Sequence, residues 1–172
     1  IKDVIIMMAR GRGAMARIIQ NSHDIRRIFA KCVQASRTKI LRSACTNMRA
    51  AAHRFESCAK PLGRTSLHIH ATIQTAVELT EKTTTADRAK TWLKWINTER
   101  CVMAAMLADA GDSALALTRL MDTENVDPAV IHREIEAFDL SMKALFCDKK
   151  CLEVFGYTKT MLRVLKAVSY TH

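Results

Sequence analysis

Residues that interrupt a helix are scarce in this chain. Its 172 residues include only five glycines and two prolines, fewer than the roughly 7 % glycine and 5 % proline of average proteins. Because glycine and proline end many helices and form most tight turns, long stretches have no local reason to leave the helical conformation. The sequence therefore predicts an all-α fold rather than one of strands and turns.

Apolar residues recur at intervals of three and four along most of the chain, as they do on the buried face of a helix. Residues 15–33 fit one such helix, and residues 40–59 fit a second that either continues it or follows a turn near Ser36. Residues 65–82 also alternate like a strand, but their length and helical neighbours favour a helix. We predict a compact bundle of about six or seven helices in a single domain, residues 1–172, with successive helices antiparallel.

Local signals predict where these helices begin and end. Pro61-Leu62-Gly63 is expected to stop a helix, because proline lacks a donor and clashes with the preceding turn. Asp127-Pro128 predicts a helix start, with a cap residue followed by proline at the first helical position. The other predicted boundaries are N-caps at Thr65 or Ser66, at Thr84 and at Thr158, a helix end at Gly111, and a new cap at Asp112 or Ser113.

Large apolar side chains on these helices form the predicted core. Trp92 is assigned to it, whereas Trp95 lies about 60° further around the same helix and is a candidate for the edge of a protein interface, where tryptophan is enriched. The helix that starts at Pro128 is expected to bury the face formed by Ile131, Ile135, Phe138, Met142 and Leu145.

The net charge of +10 is confined to the first half of the chain. Residues 1–75 contain 14 Lys and Arg against three acids, whereas the near-neutral residues 76–172 contain 13 against 14. A basic surface of this kind attracts nucleic-acid phosphate, acidic protein or anionic lipid. The longest wholly apolar run, residues 101–108, is shorter than the roughly 20 residues that span a bilayer, so no transmembrane segment is predicted.

Nine arginines and two lysines within 45 residues are the candidate nucleic-acid-binding residues. Arginine suits bidentate contacts with phosphate. Aromatic residues are scarce in this half, and Phe29 and Phe55 fall on predicted buried faces, so a platform for stacking bases is not expected. Binding would be directed to the backbone and depend on salt; the alternative is a solvated face with a few ion pairs between helices. The candidates are Arg10, Arg12, Arg17, Arg26, Arg27, Lys31, Arg37, Lys39, Arg42, Arg49 and Arg54.

The segment MMARGRGAMAR, residues 7–17, places two glycines among these arginines. We interpret Gly11 and Gly13 as a hinge between a short apolar segment and a helix that begins near Ala14. The arginines then stand at the N-terminal end of that helix, where backbone amides favour anions.

The six cysteines are Cys32, Cys45, Cys58, Cys101, Cys147 and Cys151. Five of them fall on predicted apolar faces, which favours buried free thiols in an intracellular, reducing compartment such as the cytoplasm, the nucleus or an organelle matrix. A secreted protein with three disulfides is the disfavoured alternative.

Sequence motifs for catalysis are lacking. Cys147 and Cys151 come nearest to a metal-ligand pair, but zinc sites usually carry Cys-x2-Cys or His-x3-His pairs, so no metal site is predicted. Gly11-x-Gly13 lacks the third glycine and the preceding strand of a nucleotide loop. We predict that the chain is not an enzyme and needs no cofactor.

Two functions remain open at this level. The first is a helical module that binds RNA or DNA phosphate through its basic first half, within a larger nucleoprotein assembly. The second is a structural or adaptor subunit that docks on acidic protein surfaces, as a homo-oligomer or as part of a larger complex.

Overall fold

The structure is a computed structural model that describes residues 1–36, 48, 58–81, 84–154 and 156–169. Within these ranges the regular structure is helical and there is no strand. The predicted all-α class is confirmed.

Apart from the gap between residues 36 and 58, short connections join the described helices. They are α1 (Lys2–Ile5), which runs into a π-helical turn (Ile6–Arg10), α2 (Met15–Asn21), α3 (His23–Ala35), α4 (Ala59–Leu67), α5 (Ile69–Leu79), α6 (Ala86–Trp95), α7 (Thr98–Met121), α8 (Pro128–Met142), which runs into a second π-helical turn (Lys143–Cys147), a short 3₁₀ turn (Lys150–Leu152), and α9 (Tyr157–Ser169).

The longest of these helices, α7, organises the packing. It contacts α1, α4, α8 and α9, while α5 packs between α3 and α6. The core contains Trp92 of α6, which is fully buried as predicted. Its indole Nε1 donates a hydrogen bond to the Met7 carbonyl oxygen at 3.0 Å, so α6 is fastened to the N-terminal π-helical turn.

The predicted helix stop at residues 61–63 is wrong, because α4 begins there instead. Cys58 is the N-cap of α4, so Pro61 lies in the first turn, where its missing N–H would have no acceptor within the helix. Gly63 is buried beneath the ring of Tyr157, and a Cβ atom on Gly63 would lie 2.6 Å from Tyr157 Cζ. Thr65 and Ser66 are buried inside α4 and cap nothing.

The predicted helix end at Gly111 is also wrong, because α7 continues without a break to Met121. A Cβ atom on Gly111 would lie 2.9 Å from Ala59 Cβ, so this glycine allows α4 and α7 to approach closely. Asp112 and Ser113 are therefore mid-helix residues rather than caps.

Two breaks occur in segments that were expected to be continuous. Ser22 separates α2 from α3 with extended backbone angles (φ −130°, ψ 128°), and its Oγ accepts a hydrogen bond from Ile25 N at 3.4 Å. Asn97 starts α7, with its Oδ1 accepting from Arg100 N at 2.9 Å. The helix predicted to start with a cap at Thr84 is α6. Its N-cap is Thr85, whose side chain makes no capping hydrogen bond.

The start of α8 at Asp127-Pro128 is confirmed, since Asp127 Oδ1 accepts a hydrogen bond from Ala129 N at 2.9 Å. The predicted buried face of α8 is not confirmed. No residue of α8 is buried, and Ile135 is 43 % exposed. The reason is that, among the described helices, α8 makes its main contacts with α7, apart from those with its own π-helical continuation.

The start of α9 is fixed by a carboxylate from α7. Asp109 Oδ1 accepts from Tyr157 N at 2.8 Å, and its Oδ2 accepts from Thr158 N at 3.0 Å and from Thr158 Oγ1 at 2.6 Å. Thr158 was predicted to be the cap; it is instead a buried residue of the first turn that donates to Asp109. The cap therefore comes from a residue 49 positions earlier.

We expect Asp109→Ala to lower the free energy of unfolding by about 2 kcal/mol, since it removes a charged cap and leaves the buried Thr158 hydroxyl without its acceptor. Urea unfolding followed by circular dichroism measures this. Asp112→Ala is the matched control on the exposed side of α7, with an expected change within about 0.5 kcal/mol. Equal stability of the two variants would contradict the assignment.

His68 lies at the join between α4 and α5 and is buried. Its ring meets the edge of Phe29 with centroids 6.0 Å apart, and its Nε2 has no hydrogen-bond partner among the described residues. Burial lowers the pKa of His68 below its ordinary value of 6.5, because an imidazolium would lose its hydration there.

The stability contributed by neutral His68 should be complete above pH 6.5, the pKa of the unfolded chain, and be lost as the pH falls through the lowered folded-state pKa. We expect His68→Gln to flatten the decline in unfolding free energy between about pH 7.5 and pH 5. The exposed neighbour His70 offers the control His70→Gln, which should keep the decline. A steep decline retained in His68→Gln would rule His68 out as its source.

Candidate anion-binding surface

The structure describes six of the eleven predicted phosphate-binding residues, and all six are exposed. Arg10 ends the first π-helical turn, Arg12 lies in the connection to α2, Arg17 lies on α2, and α3 carries Arg26, Arg27 and Lys31. Outside the described residues lie Arg37, Lys39, Arg42, Arg49 and Arg54. The first 36 residues together hold seven Lys and Arg against two acids.

The break between two helices that was predicted from MMARGRGAMAR is present. The first π-helical turn ends at Gly11, whose backbone is extended (ψ 162°), and α2 begins at Met15 after Ala14. The chain thus leaves one helix and enters the next within four residues, and Arg12 stands at the turn. The glycines place an arginine beside α2 rather than forming a separate binding arm.

Three arginines line one pocket of about 350 Å³ between α2, α3 and the start of α6. Arg12 and Arg17 belong to the predicted set, and Arg88 comes from α6. We call this the three-arginine pocket; its remaining walls are Ile18, Asn21, Ser22, Ile25 and Thr85.

The polar walls of the three-arginine pocket include the N-caps of two helices, Ser22 of α3 and Thr85 of α6. Helix N-termini carry partial positive charge and free amides, which favour an anion. Asp24 and Asp87 lie in the first turns of the same helices and offset part of this field. The three guanidinium groups therefore supply most of the positive charge.

The arginines of the pocket are not neutralised within the part of the chain that the structure describes. Arg12, Arg17 and Arg88 form no ion pair or hydrogen bond there with a carboxylate. The ion pairs found among the described residues lie on α8 and the turn after it, such as Lys143 Nζ with Asp139 Oδ2 at 2.6 Å. A bound anion would reduce the electrostatic repulsion among these three guanidinium groups.

Sequence reasoning missed Arg88 because it belongs to the near-neutral half of the chain. Its position in the first turn of α6 follows from the helix start near Thr84, but its proximity to Arg12 and Arg17 depends on how α6 packs. The distribution of charge along the chain does not show that Arg88 lies near Arg12 and Arg17.

Trp95, the predicted interface residue, is half-buried. The Arg100 guanidinium lies 4.9 Å from the centroid of its ring, and Arg100 also donates to the Trp95 carbonyl oxygen. The contact with Arg100 is a cation–π interaction within the chain. A role for Trp95 in binding another protein stays a prediction.

Among the described residues, the Cys32 thiol lies against the carboxylate of Glu78. Cys32 Sγ donates a hydrogen bond to Glu78 Oε1 at 3.5 Å, but burial, together with the charge of Glu78, raises the pKa of the Cys32 thiol. Because the thiolate is the nucleophile, this environment opposes catalysis rather than promoting it.

The cysteines that the structure describes are free thiols: Cys32, Cys58, Cys101 and Cys151 are buried, and Cys147 is exposed. Burial raises the pKa of Cys101 to about 11. Cys147 and Cys151 do not lie on one helix, since Lys149 between them adopts a left-handed conformation (φ 59°). The described residues contain no group of three potential metal ligands, and Cys45 lies outside them.

By length and apolar composition, α7 meets the criteria for a helix that crosses a membrane, which core helices of soluble proteins meet as well. Comparison with protein-family models, curated proteins and solved structures found no match to the chain.

Proposed function

We propose that this chain is a non-enzymatic helical module that binds the phosphate backbone of RNA or DNA. The binding surface consists of α2, α3 and the connection before α2. Within it, the three-arginine pocket is where we expect phosphate to bind most tightly. The observation that carries the proposal is the meeting of Arg12, Arg17 and Arg88 around one open pocket without a carboxylate partner among the described residues.

The chemistry of arginine supports a phosphate ligand. A guanidinium group donates two parallel hydrogen bonds to phosphate oxygens, and several such groups around one anion add their electrostatic attraction. Arg26, Arg27 and Lys31 extend the positive surface along exposed positions of α3. A repeating polyanion could therefore place one phosphate in the pocket and others along α3.

The same surface offers little for reading bases. Phe29, an aromatic residue of α3, is 1 % exposed and packs in the core. Without exposed rings, stacking on bases contributes little among the described residues. Binding should then depend on backbone charge and tolerate many sequences.

We expect the chain to bind a mixed-sequence RNA or DNA duplex at low salt, with log K falling as log salt rises. Replacing Arg12, Arg17 and Arg88 together by Ala should weaken binding and reduce the magnitude of the salt slope by about three, one per lost phosphate contact. Fluorescence anisotropy across a salt series measures both quantities.

A charge-matched control distinguishes the pocket from net charge. Replacing Arg119, Arg133 and Lys166 by Ala removes three exposed positive charges elsewhere and should leave the slope nearly unchanged. Equal losses in the two variants, or the absence of duplex binding at low salt, would refute the proposal. Preferential binding to poly-glutamate over the duplex would favour docking on an acidic protein instead.

A further inference from the structure

An apolar groove of about 380 Å³ lies along α7 and shares no lining residue with the three-arginine pocket. Its walls come from α7, α8, α4 and α1, with Leu107, Ala114, Leu115, Phe138, Met142 and Leu62 as main members. Thr118 is one of the few polar residues in the lining, and its hydroxyl already donates to the Ala114 carbonyl oxygen at 2.9 Å. The groove therefore offers mainly apolar surface to a ligand.

The apolar surface continues beyond the groove. Met121 lies seven residues after Ala114, on the same face of α7, and is 51 % exposed, while Ile135 on α8 is 43 % exposed. Only 22 % of the most apolar stretch of α7 is buried. Exposed apolar surface of this kind marks a site of interaction.

Acidic side chains border the groove. Asp122 follows the groove residue Thr118 by one helical turn, and Glu134 precedes the groove residue Phe138 by one turn, so each continues a face that lines the groove. Residues 98–142, which span α7 and α8, contain nine acids against three arginines. By the same spacing Arg119 follows the groove residue Leu115, and Arg133 Nη2 lies 3.7 Å from Glu134 Oε1. The groove is thus apolar inside, and α7 and α8, which supply most of its lining, carry a net negative charge.

We propose that this groove binds an amphipathic helix of a partner protein, with an apolar stripe flanked by lysine or arginine. Long grooves between helices accept the apolar side chains of such a helix at spacings of three and four. The net negative charge of α7 and α8 favours basic flanks and opposes both an acidic helix and an anionic lipid surface. This surface lies on α7 and α8, so the proposal does not depend on phosphate binding by α2 and α3.

A synthetic leucine–lysine helix of about 18 residues, or five turns, is the probe, with a leucine–glutamate helix of the same apolar pattern as its counterpart. We expect fluorescence anisotropy to show that the full chain binds the lysine helix at least about tenfold more tightly than the glutamate helix. Neutral phosphatidylcholine vesicles form a third arm and should not bind.

Groove variants localise the site. Ala114→Phe fills the groove and should weaken binding of the lysine helix about tenfold, whereas Ala116→Phe, at an exposed position on the opposite side of α7, should not. Asp122→Asn with Glu134→Gln keeps the groove shape and should weaken binding at low salt, compared with Glu99→Gln and Glu136→Gln as the control pair.

Circular dichroism confirms that each variant is folded before binding is measured. Equal binding of the two helices, no binding of the lysine helix, or binding unaffected by both Ala114→Phe and the Asp122 and Glu134 pair would overturn the proposal. Vesicle binding that is lost in Ala114→Phe would assign the groove to a lipid surface instead.

Discussion

Two glycines inside helices allow α4, α7 and α9 to approach one another closely. Because Gly111 has no side chain, Ala59 packs against the backbone of α7. In the same way, the ring of Tyr157 packs against the backbone of α4 at Gly63. A glycine in a helix costs about 1 kcal/mol relative to alanine, and here close packing offsets that cost. Since α7 also holds α1 and α8, the position of the groove and of the C-terminal helix depends on these contacts.

The helical class followed from periodicity, because an apolar repeat of three and four is a property of each segment by itself. The start of α8 at Asp127-Pro128 was equally local and was predicted correctly. Gly63 and Gly111 were misread as helix ends since their role is to make room for another helix, which no local pattern records. The Asp109 cap escaped prediction for the same reason: donor and acceptor are 49 residues apart.

In the candidate site too, features of one segment could be predicted from the sequence, whereas features that depend on packing between helices could not. The basic character of the first half was visible in the composition. The exposure of Arg17 agrees with its place on the polar side of α2, and Arg12 is exposed in the connection before that helix. The pocket could not be predicted, because it requires Arg88 from another helix. The open side of α8 was missed because an apolar stripe predicts burial without saying whether anything within the chain covers it.

Opposite charges lie on separate helices of this protein, with seven Lys and Arg against two acids in the first 36 residues and nine acids against three arginines in residues 98–142. Separated charges of opposite sign give a molecule a permanent electric dipole moment. Near a polyanion the torque on that dipole would turn α2 and α3 toward the phosphates. Orientation would then precede contact.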